Sequence, residues 1–61
     1  MKACKPDQVT IGKLVVRVMN DGQMNRFEAS NFVASMFSDC TAIEALYCYH
    51  ELPQGEKDAV K

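Results

Sequence analysis

From Thr10 to Asn20 the apolar positions recur three and four apart. Ile11, Leu14, Val15, Val18 and Met19 fall on one side of a helical projection, with Lys13, Arg17 and Asn20 on the other. Gly22 is then expected to end the helix. The same stretch supports a second reading, because "VTIGKLVVRV" is rich in β-branched residues and Asn20-Asp21-Gly22 is a hairpin signal. Residues 9–24 therefore stand open between helix and hairpin. The helix is favoured because the partner strand, "QMNRF", is short and runs straight into the next helical pattern.

That next pattern begins at Asn25, a good N-cap with Glu28 three residues on in the capping-box position. Ala29, Phe32, Val33, Met36 and Phe37 make one broad apolar face, with Phe27 and Ala34 at its edge and Glu28, Asn31 and Ser35 opposite. A third segment opens with Thr41 and Glu44 at the same capping spacing, helped by Asp39 near the positive helix end, and Pro53 stops it. Ala42, Ala45, Leu46, Tyr49 and Leu52 share the side that closes a three-helix core. Ile43 and Tyr47, with His50 between them, form a further apolar edge flanked by Glu44 and Glu51. A monomer has no obvious use for that second edge.

The expected fold is all-α, a small three-helix domain of helix-turn-helix-like layout in which Pro53 can open one further helical turn; the alternative is an N-terminal β-hairpin followed by two helices. Sixty-one residues make one domain: an arm over 1–8, a helical core over 9–52 and a polar tail over 53–61. A chain of this length removes only about 60% of its extended surface from water, so its stability margin is thin and a second subunit, metal or disulfide would help. Cys4, Cys40 and Cys48 are odd in number and irregularly spaced, which does not make a disulfide framework. The amino terminus has no apolar run to target it, and Leu14 to Met19, interrupted by Arg17, is too short to span a bilayer. A reducing, cytoplasmic setting without membrane contact is the expectation.

Charge changes the picture more than composition does. Residues 1–26 carry Lys2, Lys5, Lys13, Arg17 and Arg26 against Asp7 and Asp21, a net of plus three. Residues 27–61 carry Lys57 and Lys61 against Glu28, Asp39, Glu44, Glu51, Glu56 and Asp58, a net of minus four. The basic five are the candidate nucleic-acid contacts, with Lys13 and Arg17 projecting together at i,i+4. Ordinary solvated side chains explain them equally well.

Cys40, Cys48 and His50, with Cys4 as a distant fourth, invite a metal site. On one continuous helix, however, residues 48 and 50 point about 200° apart, and no C-x-x-C pair is present. Small, partly buried thiols fit better, and neither a metal nor another cofactor is expected. A cysteine nucleophile with a histidine base lacks an orienting acid, and three short helices offer little concavity, so no catalytic residues and no enzymatic activity are expected. Met19, Met24 and Met36, with Phe27, Phe32 and Phe37, read mostly as core; Met24, just after Gly22, could also staple the second helix or touch a partner.

"MNRFEA", residues 24–29, is preceded by an apolar helix and a Gly-containing turn and followed by a capped third helix. This arrangement resembles the middle of small helix-turn-helix proteins encoded by temperate phages and other mobile elements. The resemblance covers roughly residues 10–52, with Arg26, Phe27, Glu28 and Ala29 as the close matches. It implies that residues 41–51 occupy the position of the helix that enters the major groove. Yet "TAIEALYCYHE" has two glutamates and no Lys or Arg, so it would meet a polyanion with repulsion. The segment suits protein contact better. Ile43, Glu44, Leu46, Tyr47, His50 and Glu51 are the candidate interface of a small regulatory module that self-associates or docks on a host protein. The rival is a DNA-binding transcriptional regulator using Lys2, Lys5, Lys13, Arg17 and Arg26.

Overall fold

Three helices, α1 (Gln8–Gly22), α2 (Arg26–Ser35) and α3 (Ala42–His50), carry residues 3–55, the part of the chain that the computed structural model describes. Each helix packs on both of the others. Among the described residues there is no strand, only an isolated parallel bridge between Ala3 and Phe37. The hairpin alternative for residues 9–24 is thereby overturned. The β-branched residues are accommodated because Ile11, Val15 and Val16 are buried at helical spacing, and each fully buried aliphatic side chain contributes roughly 1.5–3 kcal/mol, which outweighs its tenths of a kcal/mol of helix penalty.

Both ends of α1 differ from expectation. The helix starts two residues earlier, after Asp7, whose carboxylate accepts a 2.7 Å hydrogen bond from the Thr10 hydroxyl. That bond holds the Asp7 carboxyl below the usual carboxylate range. At the other end Gly22 is still helical, and Gln23 takes the left-handed conformation at φ 52°. The N–H groups of Gln23 and Met24 both turn back to the Met19 carbonyl. A left-handed glutamine costs about 1 kcal/mol. A Cβ on Gly22 would stand 3.1 Å from the Met24 methyl, the free end of a flexible side chain that would have to shift by a few tenths of an ångström.

The cap of α2 forms as its sequence prescribes: Asn25 Oδ1 accepts from the Glu28 N–H at 2.8 Å and the Glu28 side chain reaches back to the Asn25 N–H. In α3 only half of that exchange forms, with Thr41 Oγ1 accepting from the Glu44 N–H at 3.1 Å. The Glu44 carboxylate goes to Lys5 instead.

The core consists of Ile11, Val15, Ala29, Val33, Ala45 and Cys48, with Leu52 closing it after α3. Phe32 and Met36, expected on the buried face of α2, are half-exposed, and Ser30 and Ala34 are buried in their stead. Small residues on that flank let α2 lie close to its neighbours, which rotates the larger side chains outward. Beyond α3, Gln54 and Gly55 take up a helical turn after Pro53. The last six residues of the expected polar tail lie outside the described residues.

Candidate interaction surface

One side of α3 is sealed. Ala45 and Cys48 are buried, and α1 approaches so closely that a Cβ on Gly12 would stand 2.7 Å from the Cys48 carbonyl oxygen and 2.8 Å from Leu52 Cγ. The opposite side is open. Ile43 is 82% exposed and Tyr47, one turn on, is 54% exposed. His50 and Glu51 are exposed beyond them, and Leu46 is half-buried beside them. The Tyr49 and His50 rings meet edge-on with centroids 5.7 Å apart.

The first turn of α2 extends this surface. Phe27 is 54% exposed, with the Arg26 guanidinium 4.7 Å above its ring centroid. Phe27, Ser30 and Asn31 of α2 and Ala42, Ile43 and Leu46 of α3 line a hollow of about 120 Å³. Ser30 is the buried member of this lining, and its Oγ is the one buried side-chain polar atom without a hydrogen-bond partner among the described residues. Asn31 is held at the rim by its Nδ2, which donates to the Phe27 carbonyl at 3.1 Å.

A second hollow, of about 320 Å³, lies on the other flank of α2 between Val18, Asp21, Gly22, Met24 and Phe32. Met24 is half-buried there against the core.

Of the expected interface residues, Ile43, Leu46, Tyr47 and His50 gather on one face, with Glu51 at its end. Glu44 is turned to a different task. The N-terminal arm lies along the α2–α3 connection, where the Ala3 carbonyl accepts from the Ser38 N–H at 3.0 Å and the Lys5 N–H donates to Asp39 Oδ1 at 2.9 Å. The Lys5 ammonium then pairs with the Glu44 carboxylate. The hydrogen bond that the Lys5 ammonium donates to Glu44 is the main cause raising the Lys5 pKa, with the Glu44 and Asp39 charges adding to it.

The basic candidates do not gather. Lys5 is occupied by acidic partners, and Arg17 Nε lies 3.6 Å from Asp21 Oδ2 in an exposed i,i+4 pair. Arg26 lies over Phe27, Lys13 is exposed on α1, and Lys2 lies outside the described residues. Cys4 is exposed, Cys40 half-buried and Cys48 buried. Burial raises the pKa of the Cys40 and Cys48 thiols, and the Glu44 charge raises both further. Among the described residues no three His, Cys, Asp or Glu side chains group as metal ligands, and no helix is long and apolar enough to cross a membrane.

Sequence reasoning missed Phe27, Ser30 and Asn31 as part of this surface. The available signal was the run Ala29-Ser30 and Val33-Ala34, small residues at i,i+4 that mark the flank where α2 can be approached closely and leave Phe27 at its lip. Comparison of the chain with family models, with curated proteins and with solved structures finds no match in any of the three.

Proposed function

We propose that the chain is a small non-enzymatic regulatory module that acts by protein–protein contact through the open side of α3, by self-association or by docking on a larger protein. The resemblance of residues 24–29 to small phage and mobile-element regulators supplies the regulatory part of this reading. The contact part rests on one observation: the nine-residue α3 leaves Ile43 82% and Tyr47 54% exposed while its other side is sealed. An aliphatic and an aromatic side chain with a polar rim have the make-up of an interface core.

The competing DNA-binding reading draws on Lys13, Arg17 and Arg26. Its weakness is electrostatic, since Lys5 and Arg17 already face carboxylates and the surface of α3 supplies no cation. Tagged wild type and an Ile43→Asp variant of equal helicity are compared for the proteins, including untagged copies of the chain, that each retains under native conditions. Retention by wild type and loss in the variant is the expected result. Equal retention overturns the reading. DNA affinity that falls steeply with salt and collapses in Lys13→Glu/Arg17→Glu transfers the function to α1.

A further inference from the structure

The hollow between α2 and α3 has the dimensions of one aromatic ring. Its volume of about 120 Å³ compares with the roughly 150 Å³ apolar cavity that accepts a benzene molecule. Phe27, Ile43 and Leu46 line it, and the small side chains of Ala42 and Ser30 leave it room between the two helices. On the same surface, one helical turn after Ile43, stands a half-exposed ring that has no place in the core: Tyr47. A projection and a recess of matching size on one face are what a two-fold dimer requires, because each copy must present both halves of the contact.

Resting on the reading of α3 as a docking face, we propose that the occupant is a second copy of the chain, with Tyr47 of each copy seated in the α2–α3 hollow of the other. For Tyr47 to stand over the stretch from Ala42 to Leu46 of a partner, the two α3 helices must cross antiparallel about an axis beside Leu46. Glu51 then approaches the positive N-terminal end of the other α3, where Lys5 already takes up Asp39 and Glu44. The Asp39 and Glu44 carboxylates at that end oppose the approach, and with no Lys or Arg between Phe27 and Glu56 only Lys5 and the helix end offset them, so association is expected to strengthen with salt.

The area is sufficient. With an aromatic side chain at ~200 Å², Phe27, Tyr47 and Ile43 together offer on the order of 350 Å² per copy. Doubled across the axis and joined by Leu46, Asn31 and His50, that reaches the ~1,000 Å² of a specific interface. Ser30, whose buried hydroxyl makes no hydrogen bond, is among the residues that line the hollow.

Sedimentation equilibrium of the full chain from micromolar to millimolar concentration is expected to give a reversible dimer. A mixture of labelled and unlabelled chain should show intermolecular NOEs from the Tyr47 ring to the Ala42 and Leu46 side chains, a readout that needs no variant. Tyr47→Ala should raise the dimer dissociation constant on the order of a hundredfold, since two rings are lost per dimer. Ala42→Met, which fills the recess, should weaken association too. An equimolar mixture of these two variants should associate more tightly than either alone, because one ring and one open recess remain. A wild type that stays monomeric, a dimer without those NOEs, or a mixture no tighter than its components overturns the proposal. A monomeric wild type that still loses a bound protein on Ile43→Asp overturns only the second copy as occupant, whereas indifference to Ile43→Asp in every assay overturns the docking face as well.

Discussion

The two sides of α3 are built from the same nine residues and meet opposite fates. Toward α1, Ala45 and Cys48 are sealed and Gly12 gives way so that two backbones can nearly touch. Toward solvent, Ile43 and Tyr47 extend into water beside the recess under Phe27. The difference teaches that α3 gives the interior its small side chains, Ala45 and Cys48, and keeps the larger Ile43 and Tyr47 outside. In a domain this small, where stability is scarce, that is the reverse of what stability alone would favour.

The strongest way to break the comparison is Gly12→Ala. Helix propensity by itself would favour alanine by roughly 1 kcal/mol. A methyl at 2.7 Å from a backbone carbonyl cannot be relieved by a rotamer, which puts its cost at the upper end of overpacking, about 3 kcal/mol. A net loss of about 2 kcal/mol is expected in urea titration; a neutral or stabilised variant would mean that α1 and α3 are not in contact there.

Alkaline pH should act next, on Cys48 of the sealed side and on the Lys5–Cys40 region beside it. The thiols of Cys40 and Cys48 and the Lys5 ammonium all have pKa values raised by folding. The folded chain therefore holds these protons more tightly than the unfolded chain, so their contribution is fully present below pH 9, the ordinary thiol value. It is lost as pH rises through the folded values. The urea midpoint should be flat from pH 7 to 8.5 and fall above 9, and Cys48→Ala should flatten part of the fall. An unchanged midpoint at pH 10.5 would count against burial of the thiols.

At the border between the two sides, Ser30→Ala should stabilise by about 1 kcal/mol, because it removes a buried hydroxyl that makes no hydrogen bond and adds helix propensity. Destabilisation would reveal a partner for that hydroxyl. The smallest effect belongs to the open side. Ile43→Asp should change the stability of the isolated chain by no more than about 0.5 kcal/mol, as expected of an exposed position, while abolishing its associations. A loss above 2 kcal/mol would place Ile43 in the fold and leave the face without a separate use.

The helices and the α2 cap were legible because spacing and capping chemistry act within a few residues, as Asn25 and Glu28 do. The exposed edge of Ile43 and Tyr47 was legible for the same reason. What escaped was set by neighbours distant in sequence. Phe32 and Met36 turn outward because α2 settles on its small flank, and the close approach at Gly12 is to Cys48 and Leu52, far away along the chain. Glu44 and Lys5 looked like members of opposing surface charges, and the fold joined them across 39 positions of chain. No local periodicity carries that pairing.

The strap that runs from Ala3 to Lys5 along the α2–α3 connection also orders events in time. Its anchors are Ser38, Asp39 and Glu44, so during translation residues 3–5 emerge well before the groups that hold them. The strap can therefore be fastened only after the α2–α3 connection and the first turn of α3 have been made.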